Sequence, residues 1–202
     1  MKTGVMLNVA GICRHSEVNG PATRSVVWVQ GCRRQCPGCI NPHMQAFRAV
    51  KLVEPVTLAQ QLCQEPDING ITLSGGEPFE QARACGILAE TVKKQGKTVM
   101  VFSGFAYEQL ITWRDAHIQH FLSQIDLLVA GPYLREQACE SRLWRASRNQ
   151  TVHFLTADLE RFLPWQDKEV IEISTNGNQL MFTGFPGTED IAWLEQTVNP
   201  IL

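Results

Sequence analysis

Three cysteines lie within eight residues of this chain, and their spacing indicates a metal site. Cys32, Cys36 and Cys39 form a C-x3-C-x2-C pattern that follows an apolar run at residues 26–29. Thiolates on one short loop can hold three irons of a [4Fe-4S] cubane, a cluster that usually takes four cysteine ligands. The pattern therefore predicts a cluster with one iron left open for a substrate or cofactor.

Two other interpretations fit the same cysteines. Cys36 and Cys39 form the C-x2-C half of many structural zinc sites, and His43 could complete a Cys3His set. The spacing matches no zinc module, however, and no second C-x2-C follows. The cysteines could also be ordinary reduced thiols, although three so close together in a chain with seven cysteines argue against it.

A second motif, Gly75-Gly76-Glu77-Pro78, begins about 36 residues after Cys39. Glycines let the backbone approach a ligand closely, and the carboxylate of Glu77 can accept a charge-assisted hydrogen bond from an ammonium group. A Gly-Gly-x-Pro sequence also marks ordinary turns. Its position after a predicted strand and downstream of the cysteines favours a ligand site.

Together the two motifs resemble those of the radical S-adenosylmethionine (SAM) superfamily. The details are similar to the branch that activates the anaerobic, glycyl-radical ribonucleotide reductase. The resemblance covers roughly residues 5–156 and follows the family's order. It is carried by residues 18–24 (VNGPATR), 31–42 with the cysteines, 72–78 (TLSGGEP), 102–110 (FSGFAYEQL), 126–131 (DLLVAG) and 143–150 (LWRASRNQ).

The resemblance implies a chemistry and a set of binding residues. The cluster would chelate the amino and carboxylate groups of SAM through its open iron. Reductive cleavage of SAM would then give a 5′-deoxyadenosyl radical that abstracts hydrogen, with the protein supplying geometry and shielding. The residues that the resemblance assigns to SAM are Gly38, Cys39 and Ile40 at the adenine, and Gly75, Gly76, Glu77 and Ser103 elsewhere.

Two of these assignments leave alternatives open. Ser103 follows a predicted strand and fits a helix N-cap equally well. Ala146 stands where the family usually has glycine, and because alanine tolerates positive φ poorly, we expect the local loop to differ. Arg145 fits either a carboxylate-binding role or a structural ion pair. No histidine suggests itself as a general base, which agrees with radical chemistry and argues against a hydrolase.

The elements that must position these motifs alternate between strand and helix. Such alternation predicts an α/β fold with a parallel sheet and helical crossovers, and the resemblance implies an open, incomplete (β/α) barrel. Cys32, Gly75 and Ser103 each follow a predicted strand, so we expect them to meet at the carboxyl ends of the strands. The predicted strands are residues 26–29, 71–73, 98–102, 125–129 and 152–155; the predicted helices are residues 57–64, 85–96 and 107–113.

The chain divides into a core domain, residues 1–156, and a C-terminal extension, residues 157–202. In the extension, Asn176-Gly177 lies between two apolar runs and predicts a β-hairpin. Capping of a sheet edge is the simpler role for this hairpin, and contact with a partner is the alternative.

Composition excludes several classes of protein. The net charge of −2 gives no steering toward nucleic acid. No stretch approaches the roughly 20 apolar residues of a membrane span, and the N-terminus does not resemble a signal peptide. Clustered cysteines favour a metal over disulfides and a cytoplasmic location.

Three hypotheses on function remain. The first is an activating enzyme that generates a glycyl radical on a large partner such as anaerobic ribonucleotide reductase, with a flavodoxin or ferredoxin as electron donor. The second is a radical SAM enzyme that modifies a small peptide or metabolite, which the extension and Ala146 favour. The third, a non-enzymatic metal or electron-transfer protein, is disfavoured by the glycine motif. The first two stay unresolved because the hydrogen donor lies on another molecule.

Overall fold

A mixed β-sheet with helices packed on one face forms the centre of the protein. The computed structural model describes residues 4–142, 144–162, 171–176 and 179–184. In chain order its elements are β1 (Leu7–Ser16), β2 (Arg24–Val29), β3 (Lys51–Val53), α1 (Pro55–Cys63), β4 (Gly70–Gly75), α2 (Ala82–Lys94), β5 (Thr98–Ser103), α3 (Tyr107–Thr112), α4 (Ala116–Ser123), β6 (Leu127–Ala130), β7 (Ala138–Arg142), β8 (Arg145–Ser147), β9 (Thr151–Phe154), β10 (Ile171–Asn176) and β11 (Gln179–Gly184).

The main sheet has seven strands in the order β3-β1-β2-β4-β5-β6-β9. Its four central strands, β2, β4, β5 and β6, run parallel, which confirms the α/β class and the helical crossovers. The outer strands β1, β3 and β9 run antiparallel to their neighbours. The sheet is open and mixed, and the predicted parallel arrangement is wrong for residues 152–155, which form the antiparallel strand β9. The sequence patterns indicated neither β1 nor α4, although Asp115 caps α4 by accepting from the backbone N–H groups of His117 and Ile118.

The larger apolar core lies between the sheet and the layer formed by α1, α2 and α4. The helix predicted over residues 85–96 is present as α2, and Cys85, Leu88, Ala89 and Val92, at the i, i+3, i+4 and i+7 spacing of one helical face, are fully buried there. Gly96 follows this helix with φ +71°, a conformation that glycine adopts without strain. A smaller cluster on the other face consists of Met100, Leu127, Val129, Trp144 and Leu159.

Helix α1 begins two residues before its predicted start at Thr57. Its N-cap is Glu54, whose Oε2 accepts from the Thr57 backbone N–H at 2.7 Å. Pro55 occupies the first helical position, where its fixed φ suits the helix and its missing N–H costs nothing. The predicted start at Thr57 is therefore wrong by two residues, because the capping group is the glutamate at position 54 and not the threonine.

Arg24 holds the amino ends of the parallel strands together. The side chain is fully buried. Its guanidinium donates to the hydroxyls of Thr72 and Thr98, both at 3.0 Å, and to the Ile71 carbonyl at 2.6 Å. The motif at residues 18–24 thus has a structural role at the end of the sheet opposite the cysteines.

The strands β10 and β11 pair antiparallel with each other, and residues 177–178 between them lie outside the described residues. This pair contacts the β1–β2 connection, where Glu172 accepts from the Glu17 backbone N–H and Thr183 accepts from the Asn19 side chain, both at 2.6 Å. The contact lies at the amino ends of the parallel strands. No helix in the described part of the chain has the length and apolar character needed to cross a membrane.

Candidate metal centre

The cysteine loop leaves the carboxyl end of β2 and is fixed at its start by two backbone hydrogen bonds. Gly31 donates to the Met44 carbonyl at 2.8 Å, and Cys32 donates to the Gln45 carbonyl at 2.9 Å. Gly31 has φ +105°, a conformation that few residues other than glycine adopt. The loop therefore begins as a defined turn that presents Cys32 at the end of the sheet.

The thiols of Cys32, Cys36 and Cys39 are free and half-buried. Burial raises the pKa of the Cys32 thiol, against the lowering effect of backbone hydrogen bonds. Within the described residues, His15, Glu65 and Asp67 at the opposite end of the sheet are the only set of three potential ligands whose donor atoms all lie within 4.8 Å.

At least one pair among the three cysteine sulfurs therefore lies more than 4.8 Å apart in this structure. Zn–S bonds of about 2.3 Å in a tetrahedron place sulfurs about 3.8 Å apart. A cubane has its ligands on separate irons and accepts a wider set of thiolates. This separation is compatible with a cluster whose thiolates bind different irons.

The glycine motif packs directly on the cysteine loop. The Gly76 N–H donates to the Val29 carbonyl at 2.7 Å, and the Glu77 N–H donates to the Gly31 carbonyl at 2.9 Å. Gly75 has φ +100°, and a Cβ on Gly76 would overlap the Gly31 backbone. Glycine at position 76 is thus required for contact between the two loops, a structural reason that adds to the predicted approach of a ligand.

The Glu77 carboxylate is buried and joins the ends of β4 and β5. Its Oε1 accepts from the Ser103 hydroxyl at 3.1 Å and from the Phe79 backbone N–H at 3.0 Å, and its Oε2 accepts from the Gly104 N–H at 2.7 Å. Glu77 is 1% exposed. Burial raises its pKa to about 7, although the three hydrogen bonds and Arg34 act in the opposite direction.

The Ser103 hydroxyl makes two hydrogen bonds, one to Glu77 and one within the turn that follows β5. It donates to Glu77 and accepts from the Phe105 backbone N–H at 3.1 Å. The N-cap of α3 is Ala106, so the alternative prediction of Ser103 as a helix cap is wrong. The hydroxyl shapes the rim of the sheet through the carboxylate of Glu77.

Arg34 reaches from the cysteine loop to the turn after β5. Its guanidinium lies over the Phe105 ring, 4.9 Å from the centroid, and its side chain occupies the space that a Cβ on Gly104 would need. The buried Nε has no hydrogen-bond partner within the described residues. The sequence analysis assigned Arg34 no role at the site, although its position between Cys32 and Cys36 indicated that it would lie close to the metal.

A further loop, residues 131–137, approaches the cysteine loop from β6. A Cβ on Gly38 would lie 3.5 Å from the Tyr133 ring and 3.4 Å from Arg135 Cδ. The side chain of Asn149 donates to the Pro132 carbonyl at 2.7 Å and helps to hold this loop. Tyr133 and Arg135 are neighbours of the candidate centre that the sequence analysis missed, because no local pattern relates them to Gly38.

The motif at residues 144–150 supports that loop rather than entering the site from its own strand. The positive φ lies at Trp144, +61°, and Ala146 lies in β8. Ala146 is not among the residues with positive φ, so the alanine introduces no backbone strain of that kind here. Arg145 is half-buried in β8.

Comparisons with known proteins agree with this geometry. Residues 18–153 match the family of 4Fe-4S single cluster domains. Proteins named anaerobic ribonucleoside-triphosphate reductase-activating protein are similar to most of the chain. The protein from Haemophilus influenzae is 33% identical over 144 residues, which are 67% of this chain and 90% of the relative. The Vibrio cholerae protein is 33% identical over 147 residues, 69% of this chain and 92% of the relative, and the phage T4 protein is 31% identical over 142 residues, 67% and 86%.

The chain belongs to the family of anaerobic ribonucleoside-triphosphate reductase-activating proteins. The resemblance inferred from sequence motifs is thereby confirmed, as is the iron–sulfur character of the domain. The 4Fe-4S match begins at the β1–β2 connection and ends in β9. It includes the cysteine loop, the glycine motif and Ser103, and it leaves the C-terminal extension outside.

Proposed function

We propose that this chain is an activating enzyme that uses a [4Fe-4S] cluster and SAM to generate a glycyl radical on an anaerobic ribonucleoside-triphosphate reductase. The contact between the cysteine loop and the glycine motif carries the proposal. The Glu77 N–H donates to the Gly31 carbonyl at 2.9 Å, directly before Cys32. A ligand on the open iron would therefore lie beside Gly75, Gly76 and Glu77.

Cys32, Cys36 and Cys39 would hold the cluster. When bound, the cluster supplies one electron that cleaves a C–S bond of SAM, and the resulting 5′-deoxyadenosyl radical abstracts a hydrogen atom. The chain itself contributes position and shielding. The hydrogen bonds from Gly31 and Cys32 to residues 44 and 45 hold the loop in place during this chemistry.

Glu77 has one acceptor position left for the SAM ammonium group. A carboxylate offers about four lone-pair sites, and three are taken by Ser103, Phe79 and Gly104. The fourth, on Oε2, suits an ammonium donor. In this proposal Ser103 is a positioning residue that orients Glu77.

The adenine would lie against Gly38, Cys39 and Ile40. Ile40 is 63% exposed, so its aliphatic side chain is available for such a contact. The open sheet favours a macromolecular hydrogen donor over a metabolite that the protein would have to enclose. A flavodoxin or ferredoxin is the proposed electron donor, and the cytoplasm is the proposed location.

Two measurements test the proposal. With a strong one-electron reductant, the reconstituted protein should convert SAM to 5′-deoxyadenosine and methionine. Mixed with SAM and the reductase from the same organism, the reduced protein should produce a glycyl doublet in the electron paramagnetic resonance spectrum of the reductase. Absence of SAM cleavage by the iron-loaded protein would refute the radical chemistry.

A second candidate, modification of a small peptide, is favoured by one observation: the C-terminal extension, residues 157–202, lies outside the 4Fe-4S match. Three results together would favour peptide modification over reductase activation. SAM would be cleaved, the reductase would give no glycyl doublet, and a peptide encoded beside this chain would change mass.

A further inference from the structure

Exposed apolar side chains are concentrated in one stretch next to the cysteine loop. Ile40, Phe47, Val50 and Leu52 are 63%, 59%, 49% and 54% exposed. They are four of the seven large apolar side chains that are exposed in the described part of the chain. Single exposed apolar residues are normal on protein surfaces, whereas a contiguous group marks an interaction site. We call residues 40–52 the rim strip.

The rim strip is continuous with the candidate metal centre. Its backbone accepts hydrogen bonds from Gly31 and Cys32 through Met44 and Gln45. The Phe47 ring lies so close to Gly31 that a Cβ there would be 2.8 Å from it. The strip ends in β3, the outermost strand on that side of the sheet. A molecule seated on the strip would therefore be beside Cys32.

The charged side chains of the rim strip are all positive. Residues 40–53 contain no aspartate or glutamate. Arg48 and Lys51 are exposed, and no salt bridge to either is found in the described residues. Arg33 lies 5.3 Å over the Phe47 ring, but its charge is matched by Glu80 at 3.0 Å. The strip thus combines apolar side chains with two exposed positive charges that have no ion-pair partner within the described residues.

We propose that the rim strip is the docking surface for the protein substrate, and that it binds an apolar segment of the reductase that carries acidic residues. The proposal rests on the proposed function and adds the place and chemistry of the contact. An outer strand can also accept a partner strand along its free backbone edge. A second copy of this chain fits less well, because a two-fold contact between identical strips would bring two positively charged surfaces together, with no carboxylate in residues 40–53 to match Arg48 and Lys51.

The first test removes the apolar contacts without touching the cysteine loop. The variant Val50→Ser/Leu52→Ser should keep the parental iron content and reductant-driven SAM cleavage, while its affinity for the purified reductase falls at least tenfold. The matched control is Ile111→Ser/Ile173→Ser, whose side chains are 48% and 56% exposed on other surfaces. The control should bind the reductase like the parent. Dissociation constants are measured anaerobically by calorimetry on cluster-loaded protein.

The second test addresses charge with an independent pair. Arg48→Glu/Lys51→Glu should weaken binding and reduce its dependence on salt, whereas Arg14→Glu/Arg114→Glu, two exposed arginines outside the strip, should have a smaller effect.

Parental affinity in both strip variants would overturn the proposal. So would a change from dimer to monomer in sedimentation with reductase binding unchanged, since the strip would then be a self-interface. A parent that binds the reductase through the strip but forms no glycyl radical would contradict the proposed function and leave the docking surface standing.

Discussion

At the level of single residues, burial separates the candidate ligands from the core cysteines. Cys63 and Cys85 are 8% and 0% exposed in α1 and α2, whereas the three loop thiols are half-buried. We expect Cys32→Ala, Cys36→Ala and Cys39→Ala each to lose the cluster, as measured by iron and sulfide content after anaerobic reconstitution. Cys63→Ala and Cys85→Ala should retain it and lose about 1 kcal/mol of stability.

The parent protein supplies the reference for this series. It should bind about four irons per chain and no stoichiometric zinc, since three cysteines leave one iron open. One zinc and no iron per chain would contradict both the assignment of the ligands and the proposed function.

Glu77 makes a prediction about pH. Its pKa is raised from 4.5 to about 7 by burial, so between these values the folded state binds more protons than the unfolded state. Stability should therefore fall as pH rises from about 4.5 to about 7 and change little above that from this group. Glu77→Gln cannot ionise and should remove this slope in the thermal midpoint of cluster-free protein.

The exposed Glu108 on α3 provides the control. Glu108→Gln should keep the parental slope. An unchanged slope in Glu77→Gln would show that the buried carboxylate does not control this part of the pH dependence.

At the level of elements, the motif at residues 144–150 acts as a support for the loop at residues 131–137. The Gln150 side chain accepts from the backbone N–H groups of Ala146 and Ser147 at 2.8 and 3.1 Å, and donates to the Gly131 carbonyl at 3.1 Å. The supported loop carries Tyr133 and Arg135 to the cysteine loop. The motif is therefore linked to the candidate metal centre through this loop, and its one hydrogen bond with a cysteine in the described residues is that of the Arg145 carbonyl with the Cys139 thiol.

Gln150→Ala should lower the free energy of unfolding by about 1–3 kcal/mol, because it leaves backbone groups without partners. We also expect its cluster to bleach faster in air, because the loop beside Gly38 is less firmly held. Bleaching is followed by visible absorbance. The control is Gln124→Ala, whose side-chain amide donates to the exposed Ser123 hydroxyl and to no other group in the described residues. Loss of stability with a parental bleaching rate would limit the motif to a folding role.

At the level of the whole molecule, the described C-terminal strands lie far from the cysteine loop. β10 and β11 contact the β1–β2 connection at the amino ends of the parallel strands, and the cysteines follow the carboxyl end of β2. Leu159, earlier in the extension, belongs to the core, because it is fully buried with Trp144 and Met100. A useful truncation must therefore begin after residue 162.

Deletion of residues 163–202 should preserve cluster assembly and SAM cleavage and lower the melting temperature. A longer deletion, from residue 158 onward, also removes Leu159 and the ion pair between Asp158 and Lys93, and should destabilise the core by several kcal/mol. The two truncations are compared by thermal unfolding and iron content. Loss of the cluster in the shorter deletion would place the extension within the core fold.

Sequence alone determined the parts of this protein that depend on residue type at short spacing. Three thiols must share a loop when they lie within eight residues, so Cys32, Cys36 and Cys39 were found without a structure. Apolar runs and helical stripes are also patterns of residue type at short spacing, so the sequence predicted the four parallel strands and α2 as well. The convergence of Cys32, Gly75 and Ser103 followed because parallel strands end at one edge of a sheet.

Tertiary structure alone decided which distant groups meet. Glu77 accepts from Ser103 and Gly104, and Tyr133 lies beside Gly38, only because β4, β5 and β6 are neighbours in the sheet. The antiparallel edges and the rim strip depend likewise on which strands end the sheet. Pairing between strands is set by long-range packing and backbone hydrogen bonds that the chain's local patterns do not encode.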